Sequence, residues 1–100
     1  MRKGTTPTHV FEIDFDTAKI KTIKITYLQR DQEILVKRTE DCVIEEGRIY
    51  TKLSQEDTFM FEGDCLVTIQ LRILTMSGDA LAAEPVVVSV KECLDEEVLK

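Results

Sequence analysis

The run DCLVTIQLRILTM, residues 64–76, constrains this chain more than any other stretch. Cys65, Val67, Ile69, Leu71 and Ile73 alternate with Leu66, Thr68, Gln70 and Arg72. Strand side chains point alternately to opposite faces, so a period of two predicts a long strand with one almost unbroken apolar face. That face needs a second layer of structure to cover it.

The same alternation recurs elsewhere. In HVFEIDFD, Phe11, Ile13 and Phe15 share one face, and Glu12, Asp14 and Asp16 share the other. In IKTIKITYLQ, Ile23, Ile25 and Tyr27 alternate with Thr22, Lys24 and Thr26. EILVKRT predicts a third strand whose register stays open, because Ile34 with Val36 competes with Leu35 for the core. CVIEEGRIYTKL reads as a tight hairpin. A two-residue loop at Glu46-Gly47 pairs Ile44 with Ile49 and Glu45 with Arg48. LSQEDTFMF breaks the pattern. Ser54 followed by Asp57 resembles a helix start, and a short helical crossover is expected near 54–61, with Phe59 or Phe61 in the core.

The segment LTMSGDALAAEPVVVSV could be a phosphate loop or a hairpin. A phosphate loop needs a glycine-rich turn and a helix whose N-terminus faces the anion. Here Pro85 halts any helix within a few residues, and a valine-rich strand follows. A hairpin with Gly78-Asp79 at its centre sets Met76 opposite Leu81, Leu74 opposite Ala83, Leu71 opposite Val86, Ile69 opposite Val88 and Val67 opposite Val90. A three-residue loop breaks this match unless a bulge restores it.

About seven strands with short connections predict an all-β protein. The expected architecture is a two-sheet antiparallel sandwich of immunoglobulin-like type, with a small β-barrel as the alternative. Trp is missing, and no disulfide between sheets is fixed by the sequence. One hundred residues suit a single domain, 1–100, with 1–6 and 95–100 expected as flexible ends. A chain of this size buries roughly 65% of its unfolded surface, enough for one core without staples.

The net charge of −6 argues against nucleic acid, whose phosphates an acidic surface repels. No apolar run approaches a membrane span, and the start lacks the apolar region of a signal peptide. Cys42, Cys65 and Cys93 show no paired spacing, which suits a reducing compartment. His9 is the only histidine, so neither a zinc site nor a nucleophile–base pair is spelled out. The chain is therefore expected to be non-enzymatic and to need no cofactor.

Two sets of residues stand out as candidate sites. In the hairpin register above, Leu74, Met76, Leu81 and Ala83 gather on an outward face and predict an interface. Glu12, Asp14 and Asp16 on one strand face offer a spacing that hard cations use, which makes them a metal candidate. The bland alternative for the second set is an acidic face that keeps an edge strand from aggregating.

GTTPTHVFEIDFD, KITYLQ, the DC before the EEGR hairpin, LSQEDTF and QLRILTMSGDALA occur in an order that resembles small uncharacterised proteins from prophages of Gram-positive bacteria. The resemblance runs from about Gly4 to Leu99 and contains no catalytic signature. It implies a phage setting. The expectation is a structural or assembly protein, tail or baseplate associated, made in the host cytoplasm and carried into the virion. Such a protein works through a protein partner or self-association, with no nucleic acid and no membrane. The alternative is a small calcium- or carbohydrate-binding sandwich module.

Overall fold

In the computed structural model, which describes residues 1–100, the long alternating run is an eleven-residue strand, β6 (Cys65–Thr75). Seven further strands surround it: β1 (Thr8–Glu12), β2 (Ile20–Gln29), β3 (Gln32–Arg38), β4 (Cys42–Glu45), β5 (Arg48–Lys52), β7 (Ala80–Ala82) and β8 (Val86–Val90). They form two antiparallel sheets. One has the order β1-β5-β4. The other has the order β3-β2-β6-β7, with β8 also paired to β6. The protein is thus an all-β two-sheet sandwich. The order of its hydrogen-bonded strands is the B-E-D and C′-C-F-G order of an immunoglobulin-type sandwich without its first strand.

Alternation sets the core. Ile23, Ile25 and Tyr27 of β2 and Val67, Ile69, Leu71 and Ile73 of β6 point inward, against Ile49 of β5. The β4–β5 hairpin has the predicted register, Ile44 opposite Ile49 and Glu45 opposite Arg48. Its turn needs the left-handed backbone that Gly47 supplies at φ +77°. On β3, Leu35 lies opposite Tyr27 and Glu33 opposite Leu28. Ile34 is the extra residue of a bulge, and both Ile34 and Leu35 pack on the core.

The long hairpin differs from its predicted register. Its loop has three residues, Met76-Ser77-Gly78. Thr75 N–H donates to Asp79 O at 2.9 Å, and Gly78 N–H donates to Thr75 O at 3.0 Å with φ +89°. This is a turn closed by a left-handed glycine. The hydroxyl of Thr75 also accepts from Asp79 N–H at 3.0 Å, which favours the three-residue loop. Ile73 therefore faces Leu81, and Leu74 faces Ala80. Between β7 and β8, Ala83, Glu84 and Pro85 stand opposite only Gln70 and Leu71. That extra residue shifts the register, so Val67 faces Val88 and Ile69 faces Val86. Val86, Val88 and Val90 keep their expected side, two positions from the expected partners.

The crossover is α1 (Gln55–Phe59). Ser54 Oγ accepts from Asp57 N–H at 3.0 Å, and Asp57 Oδ2 accepts from Ser54 N–H at 2.9 Å, a capping box that uses Asp. Phe61, not Phe59, is the core anchor. It is fully buried, with its ring centroid 5.7 Å from that of Tyr27.

Both ends, expected to be flexible, make hydrogen bonds to the body of the fold. Lys91 N–H donates to Met1 O at 2.7 Å and Lys3 N–H to Lys91 O at 3.0 Å, so the first residues run parallel beside the end of β8. Gln55 exchanges two hydrogen bonds with the backbone of Leu99, at 2.8 and 2.9 Å.

Tyr27 carries a polar group into the middle of this core. Its hydroxyl lies 2.7 Å from His9 Nδ1 on the opposite sheet. Burial lowers the His9 pKa below its ordinary 6.5, because the charged imidazolium loses water there. Below 6.5 the unfolded chain therefore binds more protons at His9 than the folded one. Stability from this site is complete above 6.5 and is lost as pH falls toward the lower folded value. Urea denaturation across this range should show the wild type losing stability faster than His9→Gln. Parallel pH profiles for the two proteins would refute the assignment.

Candidate functional site

Beyond Glu12 the first strand leaves its ladder. Ile13 N–H still reaches Gly47 O at 2.8 Å, but no further pair follows. Asp16 Oδ1 then accepts from Ala18 N–H at 3.0 Å and starts a 3-10 turn at Thr17–Lys19. The segment 12–15 is left lying across one open end of the sandwich, with Ile13 and Phe15 half-buried on the core. Opposite it stand β7 and the bulge. Their side chains are small on either side of Leu81, so they do not close the gap. The result is a cleft of about 210 Å³ whose lining includes Ile13, Phe15, Leu71, Ile73, Leu81 and Ala82.

The two sets of residues singled out in the sequence meet here in part. Leu81 and Ala83 line the cleft, and Glu12 and Asp14 form its rim. Leu74 and Met76 do not join them. The three-residue loop puts Leu81 on the face of Ile73, while Leu74 lies on the opposite face beside Thr22 and Ala80. The single outward patch of Leu74, Met76, Leu81 and Ala83 is therefore split around the hairpin tip. Met76 is 66% exposed and Leu81 43%.

The carboxylates of Glu12, Asp14 and Asp16 do not converge. The strand ends at Glu12, Asp16 is engaged as a cap, and Glu12 lies 3.7 Å from Arg48. No three His, Cys, Asp or Glu side chains are gathered to hold a metal ion. Instead, Glu12, Asp14 and Glu46 surround an adjoining hollow with Arg48, giving the rim three carboxylates to one guanidinium.

Cys42 and the Lys37–Asp57 pair are partly buried in the fold. Cys42 is half-buried, and burial pushes its thiol pKa up, which keeps it protonated. Lys37 points inward opposite Ile25 and donates to Asp57 Oδ2 at 2.7 Å. Burial raises the Asp57 pKa, but the Lys37 and Ser54 hydrogen bonds outweigh it and hold the carboxyl below its ordinary value. This pair was missed in the sequence, although Lys37 has the parity of Leu35. No helix is long and apolar enough to cross a membrane.

Comparison with known protein families, with curated proteins and with solved structures finds no match.

The placement of the acidic residues has a direct consequence in solution. Calorimetric titration with calcium should give no saturable heat. A saturable signal that Asp14→Asn removes would restore the metal reading.

Proposed function

We propose that this protein is a non-enzymatic binding module of a phage assembly that works through protein contacts at the inter-sheet cleft. The observation that carries the docking role is the cleft itself. Apolar side chains of the segment after β1 and of the larger sheet reach an opening that the chain's own residues leave unfilled. The phage setting rests on the order of motifs along the chain, from GTTPTH to QLRILTMSGDALA.

The chemistry of the cleft describes its occupant. A side chain of Leu or Phe size, placed against Ile13, Phe15 and Leu81, would gain about 1.5–3 kcal/mol from burial. The acidic rim at Glu12, Asp14 and Glu46 favours a partner segment that carries Lys or Arg beside that side chain. Charges on such a rim govern association rate and salt dependence, while the buried anchor governs dissociation. Such a partner is either another protein of the particle or a second copy of this chain.

Leu81→Glu should abolish association while changing stability by no more than about 0.5 kcal/mol, since the residue is partly exposed. Sedimentation velocity tests self-association, and pull-down from assembled phage particles tests a foreign partner. Met76→Glu, on the other side of the hairpin, should leave cleft-mediated association intact. A Leu81→Glu protein that still binds as tightly as wild type would sink the docking role of the cleft.

A further inference from the structure

The outward face of the larger sheet carries a feature that the fold does not explain. Arg38 of β3, Lys24 of β2 and Arg72 of β6 lie directly opposite one another on three adjacent strands. Directly opposed strand residues have their Cβ atoms about 4.5–5.5 Å apart, and like charges in such pairs repel. A chain of net charge −6 has carboxylates to spare for neutralising such a row. It does not use them. The four ion pairs of the protein are Lys3–Glu96, Arg30–Glu62, Lys37–Asp57 and Arg48–Glu12. Glu40 and Asp41 follow Arg38 closely in sequence, but neither forms an ion pair with it, and Asp41 accepts from the backbone N–H of Arg38 at 2.9 Å, not from its guanidinium.

Neutral residues flank Lys24 and Arg72 on both sides within their strands. Thr26 with Val36 and Gln70 lies along one flank, and Thr22 with Leu74 along the other. The second flank continues to Ala80, whose small side chain leaves a depression of about 240 Å³ beside Thr22, Lys24, Arg38 and Arg72. The depression thus combines two guanidinium forks, one ammonium and a hydroxyl. Guanidinium groups match the oxygen geometry of phosphate, and charge-assisted hydrogen bonds to such oxygens are about twice as strong as neutral ones.

We propose that the Arg38–Lys24–Arg72 row, with Thr22, is a binding site for a phosphate group. The dianion neutralises the cross-strand repulsion, and Leu74 and Ala80 offer an apolar wall to whatever the phosphate is attached to. The site lies on the outward face of the sheet, separate from the inter-sheet cleft, and it does not depend on the docking role proposed there.

Two-dimensional NMR titration with inorganic phosphate and with phenyl phosphate, in matched sodium chloride, tests this. Either phosphate compound should give saturable amide shifts centred on residues 22–24, 38 and 72–74. Tighter binding of phenyl phosphate identifies an esterified ligand, and equal binding identifies the free ion. Lys24→Gln and Arg72→Gln should each weaken binding about tenfold or more. Both variants keep the fold, read from the remaining resonances, and Lys24→Gln should raise the melting temperature without ligand because it relieves the repulsion. Shifts that do not saturate, that sodium chloride reproduces, or that persist unchanged in both variants would overturn the proposal.

Discussion

The hydrogen bond between Tyr27 and His9 is the constraint around which the sandwich is arranged. A buried hydroxyl without a partner is costly, by about 1–3 kcal/mol, so the sheet carrying Tyr27 must meet the sheet carrying His9 in one alignment. Dispersion alone would tolerate sliding between two apolar faces; a directed bond at 2.7 Å does not. The Phe61 ring closes one side of Tyr27, and Thr51 lies beside His9 on the facing sheet. Other polar groups near the core are satisfied in the same way. Gln29 exchanges hydrogen bonds with the backbone of Glu62, at 2.9 and 2.7 Å. Thr58 donates to Thr5 O and accepts from Gly4 N–H, both at 2.9 Å. No buried side-chain polar atom lacks a partner.

With the sheets aligned, the two ends of the sandwich differ. Near α1, the crossover, the first residues and the tail pack together and close the interior. At the hairpin end, segment 12–15 and β7 approach without sealing it. The cleft is thus the place where the sandwich runs out of covering residues, and its walls are the rims of the core itself. The cationic row belongs to another logic. It crosses three paired strands, ending on the last residue of β3, and the pairing holds its members in register.

The parts of this fold that sequence periodicity revealed are those where a period of two runs unbroken. The inward face of β6 and the Ile23–Ile25–Tyr27 series of β2 were legible for that reason. The β4–β5 hairpin was legible residue by residue because Glu46-Gly47 leaves one loop length. The long hairpin was not, since Gly78 serves a two- or a three-residue loop equally well, and the Thr75 hydroxyl decides. Leu81 consequently changed faces, and with it half of the expected interface. The candidate residues around the cleft were each visible, but their meeting depends on contacts between distant parts of the chain. Arg38, Lys24 and Arg72 look like ordinary solvated positions until three strands are placed side by side.

The extra residue among Ala83–Pro85 separates two parts of one hairpin arm. A one-residue change in a continuous strand would turn every following side chain to the other face. Here the irregularity absorbs such a change before the chain reaches Val86, Val88 and Val90, and Pro85 has no amide to leave unpaired. The tip from Thr75 to Ala82 is in this sense an independently adjustable appendage. Its length and side chains can change while the valines of β8 stay seated against β6.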